Sequence, residues 1–173
     1  KLLKLLDIPV LIITDLDIKR SETEKKKYKQ ISTLAKRQTT NETIKAFYRN
    51  GDLGAIPEFL QSDNVYVAYQ TKIGRYFPTC FEESYILTNY NNDLLNEVLK
   101  NLKPNLFAER IKSDSKNNQK NSYWWQVKLS NDKSQFSNTV LYKLIVSDQK
   151  GLPVMPKYIA KGLEYIEESL SED

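Results

Sequence analysis

The sequence contains no histidine. This excludes imidazole as general base, as metal ligand and as the central member of a Ser-His-Asp triad. A single cysteine, Cys80, rules out an internal disulfide and a cysteine-rich zinc site. No apolar run approaches the roughly 18 residues of a membrane span. The longest, Ile8–Ile13, has the length of a strand. No secretory leader pattern is present. These absences lead us to expect a cytoplasmic chain without a membrane partner. They leave carboxylates, lysine, tyrosine and bound metal as the available chemistry.

What is present has an ordinary globular composition, 40% hydrophobic and 28% charged over 173 residues, enough for one domain with its own core. The opening Lys1-Leu-Leu-Lys-Leu-Leu6 has no initiator Met and reads as the end of an amphipathic helix, so further residues are expected upstream. The net charge of +4 is unevenly placed. Residues 18–50 hold ten Lys and Arg against three Glu, a local balance of +7, whereas residues 164–173 hold five acids and no base. A basic block suits a polyanionic partner. On charge alone, a solvated loop is the simpler reading.

Pro9-Val-Leu-Ile-Ile-Thr14 is a continuous β-branched run of the kind that forms a strand buried on both faces. The polar stretch from Ile18 to Asn41 reads as a long mobile loop. Thr39-Thr-Asn-Glu42 has capping-box spacing and predicts a helix carrying Ile44, Phe47 and Tyr48, ended by Asn50-Gly51. Val65–Tyr69 is a second strand, and Gly74–Phe77 a possible short third. Phe81–Leu87 predicts a short helix, and Leu94, Leu95, Val98, Leu99 and Leu102 a longer one, interrupted by Pro104. Lys112–Asn121 reads as a disordered polar excursion. Phe136, Val140, Leu141, Leu144 and Ile145 mark another helix. Pro156 at N1 opens the last helix, with an apolar stripe of Ile159, Leu163, Ile166 and Leu170. Strands alternating with helices predict an α/β fold with a parallel sheet.

Asp15 and Asp17 follow the most buried strand, where ligands bind in open α/β sheets. In extended geometry their side chains point the same way, and a hard divalent cation would relieve their mutual repulsion. A helix cap and a turn residue are the plainer alternative. Glu82 and Glu83 open a helix, where acids also simply complement the dipole. Lys133 precedes another helix after a polar segment, a place where lysines are usually just solvated. Trp124 and Trp125 could stack on bases, although paired aromatics more often belong to a core or an interface.

Taken in order, these segments resemble a family. Ile8-Pro-Val-Leu-Ile-Ile-Thr-Asp-Leu-Asp17 is similar to the Asp-x-Asp strand of TOPRIM domains in the OLD (overcoming lysogenization defect) nucleases. Gln38-Thr-Thr-Asn-Glu-Thr-Ile-Lys45 resembles the Thr-Asn segment that follows their variable loop. Phe81-Glu-Glu-Ser-Tyr-Ile86 resembles their acidic helix, and Pro156–Tyr165 their closing helix. The likeness covers residues 1–170.

The resemblance implies a TOPRIM, Rossmann-like parallel sheet flanked by helices, with a catalytic core over 1–103 and a C-terminal helical extension over 104–173. Its first strand, which carries a required glutamate, is expected upstream, so this fragment alone is expected to be inactive. The implied activity is metal-dependent DNA cleavage or nicking, in a homo-oligomeric parent that also carries an ABC-type ATPase domain, the only part to use ATP. A role in phage defence comes with the family. Mg²⁺ or Mn²⁺, one or two ions, would be held by Asp15, Asp17, Glu82 and Glu83. Asp15, Asp17, Glu82 and Lys133 would form the catalytic set, with Lys157 as the alternative lysine. Lys19, Arg20, Lys25, Lys26, Lys27, Lys36 and Arg37 would contact the DNA backbone. Two rivals remain. One is a non-catalytic TOPRIM-like module that binds DNA or protein. The other is a haloacid-dehalogenase-like phosphatase, disfavoured because Ile18-Lys19-Arg20 stands where a Gly-Thr pair normally follows.

Overall fold

A computed structural model describes residues 8–112, 114–147 and 150–171. The opening Lys1–Leu6 segment, Ser113 of the polar stretch, and Glu172 and Asp173 of the acidic tail lie outside these residues. Three strands, β1 (Val10–Ile13), β2 (Phe59–Ser62) and β3 (Val65–Ala68), form one sheet. The helices are α1 (Glu22–Lys26), α2 (Glu42–Phe47), α3 (Phe81–Thr88), α4 (Asp93–Leu102), α5 (Pro104–Arg110), α6 (Lys116–Lys120), α7 (Ser122–Lys128), α8 (Lys133–Val146) and α9 (Lys157–Ser171).

The sheet order is β1-β3-β2, with β1 parallel and β2 antiparallel to β3. The expected parallel sheet is therefore a mixed one. Asp63-Asn64 closes a tight hairpin, and Asp63 takes φ 53°, the left-handed conformation such turns require. β2 has no apolar signature of its own, because only Leu60 is buried. Gly74–Phe77 contributes a single bridge, Ile73 to Tyr76, instead of a strand.

β3 is buried along its whole length and serves two faces. Val65, Val67 and Tyr69 pack with Leu16, Ile18, Ile31, Leu34, Ile44 and Leu53. The stretch 18–41 is thus a packed segment and not a loose loop. Ile18 bridges Thr39, and α1 is closed by a capping box between Ser21 and Glu24. The box expected at Thr39–Glu42 does not form. Asn41 is the N-cap of α2, accepting the Ile44 N–H at 3.1 Å, and that helix ends at Phe47, before Asn50-Gly51.

On the other face, Tyr66 and Ala68 meet α9 through Tyr158. The predicted stripe of α9 holds only in part: Ile159 packs on the sheet-face cluster, but Leu163 and Leu170 are 52% and 61% exposed, while Tyr158 and Gly162 are the buried residues. Contact with the sheet is close at 162, where a Cβ would lie 2.8 Å from Leu11 Cδ1 and 3.3 Å from Ala68 Cβ, so that even a methyl group requires the Leu11 tip to shift. Tyr165 stacks on Tyr66, with ring centroids 4.6 Å apart. A small residue, two tyrosines and Ile159 therefore face the sheet, and the leucines of the predicted stripe do not.

The remaining helices share a core of Tyr85, Leu95, Leu99, Trp125, Phe136 and neighbours. Trp124 and Trp125 belong to it, edge to face at 4.8 Å. Truncating the fully buried Trp125 would cost about 3–5 kcal/mol. The described part of the polar stretch, 114–121, is also structured. It forms α6, whose fully buried Asn118 accepts Trp125 Nε1–H at 2.8 Å.

Candidate functional site

The ladder from β1 to β3 continues one residue past the strand, where Thr14 N–H donates to Ala68 O at 3.0 Å. Beyond it the backbone turns. Leu16 is fully buried and donates its N–H to Gln70 Oε1 at 2.6 Å, and Asp17 adopts φ 44°. The extended geometry expected through Asp17 is broken there. Asp17 is held instead by neighbours, donating N–H to Thr79 O at 2.9 Å and accepting Thr40 N–H at 3.0 Å. Asn41 Nδ2 ties the two acids together. It lies 2.8 Å from Thr14 Oγ1, 2.8 Å from Asp15 O and 3.4 Å from Asp17 Oδ2.

Asp15 Oδ1 accepts from Gln70 Nε2 at 2.7 Å and from the Phe81 N–H at 3.0 Å. The second bond brings the start of α3 to the end of β1. Burial raises the Asp15 carboxyl above its ordinary range; the Gln70 hydrogen bond opposes this, and the charges of Asp17 and Glu82 add to the rise. Glu82 is buried and meets Lys133 Nζ at 3.1 Å. Burial would push its carboxyl up, but hydrogen bonds from Cys80, its own N–H and Lys133 prevail and hold it below the usual range. Lys133 is held above its ordinary range: burial opposes this, and Glu82 more than compensates.

Asp15, Asp17, Glu82 and Lys133 are thus gathered from the β1 end, α3 and α8. Lys157, the alternative lysine, is exposed at the start of α9 and sits in the field of Glu58. Glu83 turns to other partners. It is fully buried, accepting from Thr79 N at 3.0 Å, Thr79 Oγ1 at 3.2 Å and Ser122 Oγ at 3.3 Å, and it faces Arg20 Nη2 at 3.6 Å. Burial moves Glu83 up and Arg20 down from their ordinary ranges.

Of the basic residues, Lys19, Lys25, Lys26, Lys27 and Lys36 are exposed. Arg37 is half-buried and paired with Glu24 at 2.5 Å. Arg20 leaves the solvent-facing set altogether, being 8% exposed with its guanidinium 3.5 Å from the Tyr123 ring centroid. An open cleft of about 450 Å³ runs beside Asp17, lined by Lys19, Lys25, Thr40, Tyr123 and Gln126.

The chain is 48% identical to Endonuclease GajA of Bacillus cereus (strain HuB5-5) over 176 residues. That alignment takes in 98% of this chain and 25% of that protein. The chain therefore spans about a quarter of the length of the curated relative it matches. No family model and no solved structure matches it.

The donor chemistry at the β1 end suits a hard divalent cation. Asp15 and Asp17 offer carboxylate oxygens, and Mg²⁺ commonly takes one or two carboxylates and fills its remaining positions with water and phosphate. Among the described residues, no three carboxylate, thiol or imidazole groups converge closely enough to hold an ion by themselves. No helix among them is long and apolar enough to cross a membrane.

Sequence reading missed Gln70 and Tyr158, whose hydroxyl receives Gln70 Nε2 at 3.0 Å, and left Asn41 out of the site. A signal for Gln70 existed. It stands just beyond the carboxyl end of β3, the position rule that singled out Asp15 beyond β1.

Proposed function

We propose that this chain is the metal-binding part of a DNA endonuclease, a TOPRIM-type segment of an OLD-like nuclease that hydrolyses phosphodiesters with Mg²⁺ or Mn²⁺. The observation that carries this reading is the convergence of Asp15, Asp17 and the Glu82–Lys133 pair at the end of a parallel strand. The similarity to a protein named as an endonuclease supports it.

In this reading Asp15 and Asp17 hold the ion, and Glu82 holds Lys133 in place, positioned to offset charge gathering on the phosphate. A bound divalent cation would supply an activated water and stabilise the leaving oxygen. Gln70 and the Phe81 N–H fix the Asp15 carboxylate, and Asn41 fixes the turn between the acids. Exposed Lys19 and Lys25, on the cleft beside Asp17, would meet backbone phosphates without reading sequence. The whole protein would add an ABC-type ATPase and a further glutamate, and this segment alone would not cleave. A non-catalytic DNA-binding module is the second reading, favoured by the lack of a three-ligand cluster among the described residues.

The deciding experiment is cleavage of supercoiled plasmid by the full-length protein in Mn²⁺ or Mg²⁺, with Asp15→Ala and Asp17→Ala beside wild type. Both variants should lose cleavage while retaining DNA binding. Retained cleavage in either would sink the assignment.

A further inference from the structure

Resting on that reading, we infer that Arg20 and Glu83 form an internal positioning pair that sets the two acid-bearing segments of the site against each other. Neither side chain touches Asp15, Asp17 or Glu82 through a described hydrogen bond, yet each is one to three residues away from one of them. Glu83 follows Glu82 on α3, and Arg20 follows Asp17 on the segment leaving β1.

Glu83 acts as a hub. Its Oε2 receives both the N–H and the hydroxyl of Thr79, and Thr79 O in turn receives the Asp17 N–H at 2.9 Å. The same Oε2 faces Arg20 Nη2, while Oε1 receives Ser122 Oγ–H from α7. Arg20 is itself fixed by stacking on Tyr123 and by donating Nη1–H to Lys29 O. Thr79, Arg20 and Ser122 thus connect Glu83 to the Asp17 turn, the segment after it and α7.

A buried charge pair is a costly way to gain stability alone, since desolvation consumes most of the attraction. The pair sits where it can serve geometry: Glu83 is next to Glu82 in the chain and two hydrogen bonds, through Thr79, from Asp17. Outer residues that orient metal-binding groups commonly alter metal affinity by ~10–100-fold when lost. The family resemblance implies other roles for these two residues, Arg20 on the DNA backbone and Glu83 on the metal. Their burial gives them a shared role instead.

The test is the Mn²⁺ concentration giving half-maximal cleavage by the full-length protein, measured for wild type, Glu83→Gln and Leu99→Ala. Leu99→Ala destabilises the helical core without touching the Arg20–Glu83 pair and serves as the stability control. Glu83→Gln should raise the Mn²⁺ midpoint ~10–100-fold with metal-free DNA affinity unchanged, whereas Leu99→Ala should lower Tm without moving the midpoint. If Glu83→Gln lowers Tm but leaves the midpoint alone, the pair is merely structural and the inference fails. Should Glu83→Gln not fold, Thr79→Val removes one hydroxyl bond to Glu83 and should shift the midpoint the same way by a smaller factor; no shift there overturns the inference. A wild-type protein with no Mn²⁺ response at all overturns the nuclease reading first, and this inference with it.

Discussion

The Asp15 carboxylate accepts the backbone N–H of Phe81 at 3.0 Å. One hydrogen bond thereby joins the carboxyl end of the parallel strand β1 to the first residue of α3, which delivers Glu82 on the next position. In the proposed site the same side chain would be both anchor and ligand.

Asp15→Asn tests the balance of charge. The Asp15 carboxyl is raised in the folded state, chiefly by burial, so its contribution to stability is present below its ordinary pKa and lost as pH rises through the raised value. At neutral pH the ionised group is a liability without metal. Metal-free Asp15→Asn should melt no lower than wild type at pH 7, and Mn²⁺ should raise Tm only in wild type. A drop of several degrees in metal-free Asp15→Asn would contradict this account, as would a matching Mn²⁺ response.

Gln70→Ala removes three bonds at once. The buried amide accepts Leu16 N–H and donates to Asp15 and to the Tyr158 hydroxyl. Leaving a buried donor unpaired costs about 1–3 kcal/mol, so the loss should be on the order of 2–4 kcal/mol in urea denaturation. A change under about 0.5 kcal/mol would show that water replaces the amide.

Substitution at Gly162 should separate helix propensity from packing. Gly162→Ala gains roughly 1 kcal/mol of helix propensity and sets its Cβ against the movable tip of Leu11, giving a near-neutral result. Gly162→Leu has no space against Ala68 and should cost about 1–3 kcal/mol or more. Equal stability of the Leu and Ala variants would show that α9 does not approach the sheet this closely.

Acid should loosen the 18–41 segment in a defined window. Hydrogen bonding to Arg37 holds the Glu24 carboxyl at about 2, far below its ordinary 4.5. The stabilisation is therefore complete above pH 4.5 and lost as pH falls toward 2. For a partly exposed pair it amounts to about 1 kcal/mol at most. Arg37→Gln should flatten the stability profile between these limits, followed by the urea midpoint against pH. An unchanged slope would mean that other carboxylates govern acid unfolding.

The sequence by itself determined the parts whose signal is local. Four consecutive β-branched or leucine residues before Thr14 form the strand β1 as their composition predicts, although it is only partly buried and Ile13 is exposed rather than covered on both faces. Helical periodicity likewise marked α4 and α8, and the start of α3 with Glu82 in its first turn. Tertiary structure alone decided what depends on residues far apart in the chain. Gln70 reaches Leu16 across 54 positions, and Lys133 reaches Glu82 across 51. Leu163 and Leu170 form an apolar stripe by spacing, yet α9 turns Gly162 and its tyrosines to the sheet, because close approach and ring stacking outweigh a leucine count. The resemblance implies a metal ligand at Glu83 and a DNA-backbone contact at Arg20. Only the fold, by burying each against the other, removes them from water and makes them partners.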